Sequence, residues 1–287
     1  MKILLTESNF NPETPIILNK AGHEVFVPKE EIPDVHEFGR AELIQTIKDL
    51  KVDVLICGLK FLIDKEILDL GIKVVATRTT NITDHIDYKY CQEKGIEIIH
   101  LEGNELEDVT AVAEACLGAM IQLSRLDVLG QEIRGKTLGL WGYGRIARQL
   151  EKYALAHEMN VIKYDTNLKD TENQSNAGLL DVLLECSDFI SIHASSTPEN
   201  KDMVKYSHFE KTEQKPFILN SARPWLIEDG AIKKALENNL ISGFWADMPI
   251  GFEHPKVVIW NKAGNTYESS LKTEVIIVNK LIKWLSK

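Results

Sequence analysis

Thr137-Leu138-Gly139-Leu140-Trp141-Gly142-Tyr143-Gly144-Arg145-Ile146-Ala147, followed by Val161-Ile162-Lys163-Tyr164-Asp165, reads as a strand, a glycine turn, a helix, a second strand and a terminal acid. That order specifies a dinucleotide-binding unit. Gly142 permits a tight turn out of the first strand, Gly144 leaves room for a pyrophosphate, and Ala147 in the third small position lets the helix pack closely on the strand. Contacts to the pyrophosphate are expected from Gly142, Tyr143, Gly144, Arg145 and Ile146, where the free N–H groups and dipole of a helix N-terminus favour negative charge. Asp165 ends the second strand about 20 residues further on, where a carboxylate can accept both ribose hydroxyls and repels a 2′-phosphate. NAD is therefore favoured over NADP. A glycine turn alone could be structural; the flanking strand, helix and acid make the difference.

Outward from this unit, the 287 residues are 44% hydrophobic and 26% charged, which suits one or two ordinary domains with full cores. A net charge of −10 with no long Lys/Arg run argues against a nucleic-acid surface. An anionic ligand must then be held by a few local cations. Cys57, Cys91, Cys116 and Cys186 have neither CxxC nor metal spacing, so they read as small hydrophobes in a reducing cytoplasm, and no metal site is expected. No apolar run is long enough to span a bilayer and the N-terminus soon turns polar, so neither secretion nor membrane insertion is expected.

Short apolar runs at Ile3–Leu5, His23–Val27, Val52–Cys57, Val74–Thr77 and Ile96–His100 alternate with helix-like stretches, which makes a first α/β unit. A helical pattern from about Glu105 to Arg125 then leads to the glycine turn and a second α/β unit. That unit continues with strands at Phe189–Ala194, Pro216–Ala222, Ile241–Asp247 and Val257–Trp260, and an amphipathic helix from Ser269 to Leu285 closes the chain.

Several segments, in order, resemble the D-isomer-specific 2-hydroxyacid dehydrogenases, and among them the phosphoglycerate-dehydrogenase-like members. Lys73–Thr80 with Asp84-His85-Ile86-Asp87 is similar to the substrate-loop segment, and Ala111-Val112-Ala113-Glu114 to the start of the connecting helix. Gly135–Gly139 leads into the glycine turn, Ser191-Ile192-His193 with Thr197-Pro198-Glu199 resembles the cofactor loop, and Leu219–Arg223 resembles the Asn-x-Ala-Arg catalytic segment. Ser242–Asp247 is similar to the strand that ends in Asp. The resemblance implies two Rossmann-like domains. An NAD-binding domain, 102–265, is inserted into a discontinuous flavodoxin-like substrate domain, 1–101 and 266–287, with the active site in the cleft between them. It implies a small anionic 2-oxo or 2-hydroxy acid as substrate, and a homodimer.

The residues bear out these roles chemically. Arg223 stands at the C-terminal end of a strand, where open α/β sheets bind ligands, and its planar fork can hold the carboxylate and keto oxygen of a 2-oxo acid. Asp247 would accept from the nicotinamide carboxamide, and His193, Ala194, Ser221 and Ala222 would lie against the cofactor. Arg78, Thr79, Thr80 and Asn81 replace a more glycine-rich loop and offer N–H groups, hydroxyls and one cation, which a second anionic group such as a phosphate could use; the other reading is a loop whose threonines cap Asp84. His85 beside Asp-Ile-Asp reads as a structural hydrogen-bonder.

The acid/base pair departs from the family pattern. A Glu would be expected at Phe252, with Glu253 next door, and the Thr-Pro-His segment is replaced by Ile259-Trp260-Asn261-Lys262-Ala263. Alignment from the left puts Lys262 in the His place, and alignment from the right puts Asn261 there. A lysine beside cations has a lowered pKa and can donate a proton, whereas an asparagine can only orient a carbonyl. Glu253 is either the partner of Lys262 or a solvated turn residue, and His254, a further candidate, reads as a turn residue before Pro255. The expectation is an NAD-dependent oxidoreductase for 2-hydroxy acids, with a catalytically weak NAD(H)-binding regulator as the alternative.

Overall fold

The computed structural model describes residues 1–7, 10–28, 38–58, 62–167, 176–261 and 263–286. The chain divides into two compact units, Met1–Asp108 with Tyr267–Lys287, and Val109–Thr266.

The first unit is built on β1 (Lys2–Leu5), α1 (Glu13–Lys20), β2 (Glu24–Phe26), α2 (Arg40–Leu50), β3 (Val54–Cys57), α3 (Lys65–Leu68), β4 (Val74–Thr77), α4 (Tyr88–Lys94) and β5 (Glu97–Ile99). Its strands are parallel in the order β2-β1-β3-β4-β5. This is the flavodoxin-like doubly wound order, whose reversal lies between β1 and β3. Both β3 and β4 are buried at every residue, which is why Val-Leu-Ile-Cys and Val-Val-Ala-Thr are continuous apolar runs instead of alternating ones. Leu43, Ile47, Ile67 and Cys91 of the helices pack with Leu4, Leu55 and Val75 of the strands.

The C-terminal helix Tyr267–Leu285 belongs to this unit, against α1, β4 and β5. It buries Ile277, Val278 and Leu281, each worth about 1.5–3 kcal/mol. Lys280 also reaches the His100 carbonyl at 3.0 Å and Glu105 at 2.7 Å.

The second unit contains α5 (Ala111–Leu123), β6 (Thr137–Trp141), α6 (Arg145–Ala156), β7 (Asn160–Tyr164), α7 (Asn176–Cys186), β8 (Phe189–Ile192), α8 (Tyr206–Phe209), β9 (Phe217–Asn220), α9 (Ala231–Glu237), β10 (Gly243–Ala246) and β11 (Val257–Ile259). Again all strands are parallel, in the order β11-β10-β9-β8-β6-β7. Leu138 pairs with Val161 on one side and Phe189 on the other, so β6 is an interior strand, next to the edge strand β7, and the reversal falls between β6 and β8. Apolar cores cover both faces. One gathers Cys116, Ala119 and Leu123 of α5 with Leu150 of α6, the other Leu183, Phe209, Ala235 and Leu236.

The continuous helix expected from about Glu105 to Arg125 is broken. A 3₁₀ turn covers Gly103–Leu106, and α5 starts afresh at Ala111 behind Thr110, which donates to Glu114 at 2.6 Å. Gly103 and Asn104 favour the turn and Thr110 favours a fresh helix start, so tertiary position overrides the helical pattern there. The change of unit, at Asp108/Val109, falls inside this break.

Candidate functional site

In the second unit the glycine turn closes where β6 and β8 diverge. Gly142 has φ +93°, and a Cβ on it would lie 2.5 Å from the Ala194 nitrogen and 2.6 Å from the His193 carbonyl carbon. Only glycine fits. Its N–H donates to Tyr164 O at 2.8 Å while His193 N–H donates to Trp141 O at 2.7 Å, which ties the turn to β7 and to the loop after β8. Gly144 caps α6 with extended backbone, and a Cβ there would meet no atom within 4 Å. The first-turn N–H groups of α6 lack intrahelical partners and carry the positive end of the dipole. Ala147 is fully buried beneath, so the helix sits close on the sheet.

Asp165 follows β7. Its carboxylate accepts the Tyr143 N–H at 2.8 Å through Oδ2 and the Asn167 N–H at 2.8 Å through Oδ1. Each oxygen keeps acceptor capacity for a ribose hydroxyl. Tyr143 itself turns back from the glycines: its hydroxyl meets Glu151, and Lys163 lies 4.6 Å from its ring centroid and 2.8 Å from Glu151. Burial raises the Glu151 carboxyl, but the hydrogen bonds from Lys163 and Tyr143 outweigh it and leave the group below its usual range. Arg145 donates to Val109 O at 2.7 Å, at the head of α5, and Ile146 packs partly against the core. The cradle of Gly142, the open space over Gly144 and the oriented acid fit a dinucleotide.

A second cluster joins the ends of β8 and β9. His193 lies between two hydroxyls, with Nε2 2.8 Å from Ser191 Oγ and Nδ1 3.0 Å from Ser221 Oγ. Burial pushes its pKa down to about 4, so the imidazole is neutral near pH 7. It is a bridge and not a proton carrier. Beneath it Cys116 also hydrogen-bonds Ser221 and Ser191, its thiol pushed up to about 12 by burial.

Asn220 gives this loop its shape. Its side chain accepts from Ala222 N–H at 3.0 Å and donates to Arg223 O at 3.0 Å, and it is 3% exposed. Sequence reading named Asn220 only as part of a motif; the signal was an Asn at a strand end, a residue type that hydrogen-bonds nearby backbone and makes turns. Arg223 is thereby held in extended backbone just past β9, half-buried, with Nη1 3.3 Å from Ala222 O.

Asp247, after β10, accepts the Ala263 N–H at 2.7 Å, and its own N–H donates to Asn220 O at 3.3 Å. One carboxylate oxygen therefore anchors the segment that carries Asn261, exposed at φ +54°. Lys262 lies outside the described residues. Phe252 is tucked partly against the second core, whereas Glu253 is exposed. His254 Nδ1 accepts the Lys256 N–H at 3.1 Å and closes the turn before β11.

In the first unit Arg78 follows β4. Its guanidinium is not a loop cation in surplus as expected: Nη2 pairs with Glu7 at 2.7 Å, Nη1 pairs with Glu274 at 2.8 Å, and the Phe10 ring centre lies 4.2 Å from Cζ. The carboxylates come from far along the chain, after β1 and from the C-terminal helix. Thr79 Oγ1 accepts the Asn81 N–H at 3.2 Å and Thr79 O accepts Leu101 N–H at 3.1 Å. Asn81 donates to Asp84 at 2.9 Å. Thr80 is exposed in the same loop. His85 is 1% exposed and its Nε2 is 2.9 Å from Thr77 Oγ1, a packing role.

The family model for the D-isomer specific 2-hydroxyacid dehydrogenase NAD binding domain matches residues 113–258. This chain belongs to that family. Its cofactor is NAD, and it is an NAD-dependent oxidoreductase of the 2-hydroxyacid dehydrogenase kind. It is 30% identical over 246 residues to the glyoxylate reductase of Thermofilum pendens, covering 75% of this chain and 71% of that protein. It is 29% identical to the hydroxypyruvate reductase of Thermotoga maritima, covering 79% and 77%. The NAD+-bound 3-phosphoglycerate dehydrogenase of Entamoeba histolytica shares the fold at a TM-score of 0.84 and 24% identity, over 100% of this chain and 96% of that one. Among the described residues no helix is long and apolar enough to cross a membrane.

Proposed function

We propose that this enzyme interconverts a small D-2-hydroxy acid and its 2-oxo acid, with Arg223 as the substrate cation. The carrying observation is the Asn220-braced turn that presents Arg223 beyond β9, in the sheet whose β6–β8 divergence forms the glycine cradle. The names of the Thermofilum and Thermotoga relatives, both reductases of 2-oxo acids, support the same chemistry.

Bound NAD(H) supplies the hydride donor or acceptor. Gly142, Gly144 and the α6 N-terminus hold its pyrophosphate, and Asp165 orients its adenosine ribose. Arg223 holds the substrate carboxylate and polarises the carbonyl oxygen. Reduction at the carbonyl carbon places negative charge on that oxygen, which then takes a proton; Lys262 supplies it, with Asn261 and an ordered water as the second choice. His193, neutral, keeps Ser221 and so the Arg223 turn in register. Asp247 anchors the 261–263 segment and accepts from the nicotinamide amide. In the first unit, Arg78, Thr79, Thr80 and Asn81 are the candidate substrate-binding residues.

The enzyme works as a homodimer in a reducing cytoplasm. Supporting the dimer, Ile121 of α5, Leu155 of α6, and Val128 and Leu129 of the link behind α5 are all exposed apolar side chains of the second unit. Light scattering tests it, a monomer at micromolar concentration being the contrary result. The cysteines support the compartment, all four being free.

Loss of NADH absorbance with a panel of 2-oxo acids tests the reaction. Arg223→Ala is expected to raise KM and lower kcat together, and Lys262→Met to lower kcat by roughly 10²- to 10⁴-fold with NADH affinity kept. If no acid is reduced although NADH binds, the reaction is wrong. If Lys262→Met matches the wild type, the proton comes from elsewhere.

A further inference from the structure

Tyr143 stands between two glycines, and a glycine lacks the Cβ that narrows the backbone choices of other residues. The turn Gly142-Tyr143-Gly144 therefore has one side chain by which the protein can hold it. That side chain is gripped from two elements of the same unit. Its hydroxyl donates to Glu151, in the second turn of α6, and accepts from Lys163 Nζ of β7 at 3.3 Å. Lys163 also lies 4.6 Å from the ring centroid and 2.8 Å from Glu151 Oε1, so acid, phenol and ammonium close a ring of contacts. Lys163 is held above the usual lysine range, chiefly by its hydrogen bond to Glu151. Burial, with Glu151 beside it, raises the Tyr143 phenol, which stays protonated and donating.

The same tyrosine reaches Asp165 from its main chain. Its N–H donates to Oδ2 at 2.8 Å, while the Asn167 N–H donates to Oδ1 at 2.8 Å. Lys163 and Asp165 stand two residues apart at the end of β7, so their side chains leave on one side and meet one tyrosine, the first at its ring and the second at its backbone. Where the Tyr143 N–H points is set by the torsions of a glycine turn. The grip on the ring restricts them.

We infer that Glu151 and Lys163 are positioning residues for the cofactor: they clamp the Tyr143 side chain, and so hold its main-chain N–H on Asp165 and the carboxylate in an orientation that meets the ribose hydroxyls. An acceptor oriented beforehand binds more tightly, because less conformational freedom is lost on binding. Neither residue belongs to the glycine motif, and neither touches the cofactor in this role. The inference rests on the ribose role given to Asp165 above. An ordinary ion pair predicts otherwise. With the Lys163 side chain 43% exposed, such a pair adds little to folding and nothing to cofactor affinity.

Calorimetric titration of NADH into the intact protein tests the clamp as a double-mutant cycle, with Tm measured beside it. Lys163→Met is expected to weaken NADH about 3- to 10-fold, and Lys163→Arg, which keeps the charge and can stack on the ring, less than about twofold. In an Asp165→Ala background Lys163→Met is expected to cost less than about twofold, because the carboxylate it orients is gone. Tyr143→Phe, which deletes one hydroxyl and keeps the ring, is expected to weaken NADH about 2- to 5-fold. The same loss from Lys163→Met in both backgrounds overturns the inference, since the clamp would then act on something other than Asp165. A Lys163→Met protein that binds NADH like the wild type overturns it too, whatever its Tm, as does an arginine that fails as methionine does. An Asp165→Ala protein of wild-type affinity refutes the ribose role itself and takes the inference with it. Should Asp165→Ala bind too weakly to titrate, the methionine and arginine variants decide the matter. Should Lys163→Met not fold, wild-type affinity in Tyr143→Phe overturns the clamp and a loss upholds it.

Discussion

The two glycines of the turn should respond to alanine differently, because one is held by the protein and the other is kept open for a ligand. At Gly142 an alanine would have to adopt φ +93° with its Cβ 2.5 Å from the Ala194 nitrogen. The backbone conformation alone costs about 1–3 kcal/mol. Relieving the overlap means moving the β8 loop by close to an ångström, which adds about 1–3 kcal/mol by the usual cost of overpacking. A loss of about 2–6 kcal/mol lowers Tm by roughly 5–20 °C for a unit of this size. At Gly144 the Cβ would meet nothing within 4 Å, and the residue is already in extended backbone. Alanine there costs at most about 1 kcal/mol as a poorer helix cap. Its methyl group would, however, stand where the pyrophosphate must approach, and a clash of about 1.4–2.8 kcal/mol weakens NADH by 10- to 100-fold. Differential scanning fluorimetry and calorimetric titration of NADH read the two effects. Gly142→Ala should lose stability and cofactor affinity, Gly144→Ala affinity alone. A Gly144→Ala protein that binds NADH like the wild type would refute the placement of the pyrophosphate at the head of α6.

Three further outcomes follow from the same contacts. Asp165→Ala should lower NADH affinity and narrow the NADH-over-NADPH preference, and equal affinities in the wild type would remove the ribose assignment. His193 is held near pKa 4 against an ordinary value of 6.5, so the unfolded chain binds the extra proton: stability from this group is full above about pH 6.5 and about 3 kcal/mol of it is lost as pH falls toward 4. His193→Gln should flatten that part of the pH–stability curve, and an unchanged curve would place the titration elsewhere. Glu274→Ala leaves Arg78 with one carboxylate fewer and strands the Asn11 and Thr14 donors, so a loss of about 3 kcal/mol in urea unfolding is expected, against a negligible change if the pair were a solvated surface contact.

Most of the architecture was legible because its signals are local. Continuous apolar runs such as Val54–Cys57 and Phe189–Ile192 can be strands of a parallel sheet only if both faces are covered, and the intervening amphipathic stretches supply the covers. The glycine turn was legible for the same reason: a positive φ and a close backbone approach leave glycine as the one residue that fits. The helix before β6 was read too long because Glu105 and Leu106 fit a helical pattern, and nothing in that periodicity reports that Lys280, 175 residues away, takes Glu105.

The site divides along the same line. Asn220 shapes its turn through bonds to Ala222 and Arg223, two and three residues away, so its role follows from residue type and position. The partners of Arg78 do not, since Glu7 and Glu274 stand 71 and 196 residues from it and neither belongs to a motif. An arginine at the end of β4 reads as a spare cation until its counter-charges are known, and the two carboxylates against it come from parts of the chain that no motif links. Motifs thus carry the local part of the candidate site, Gly142, Asp165 and Arg223 in one unit, while the pairing of Arg78 is set by long-range contacts that only the folded chain brings together.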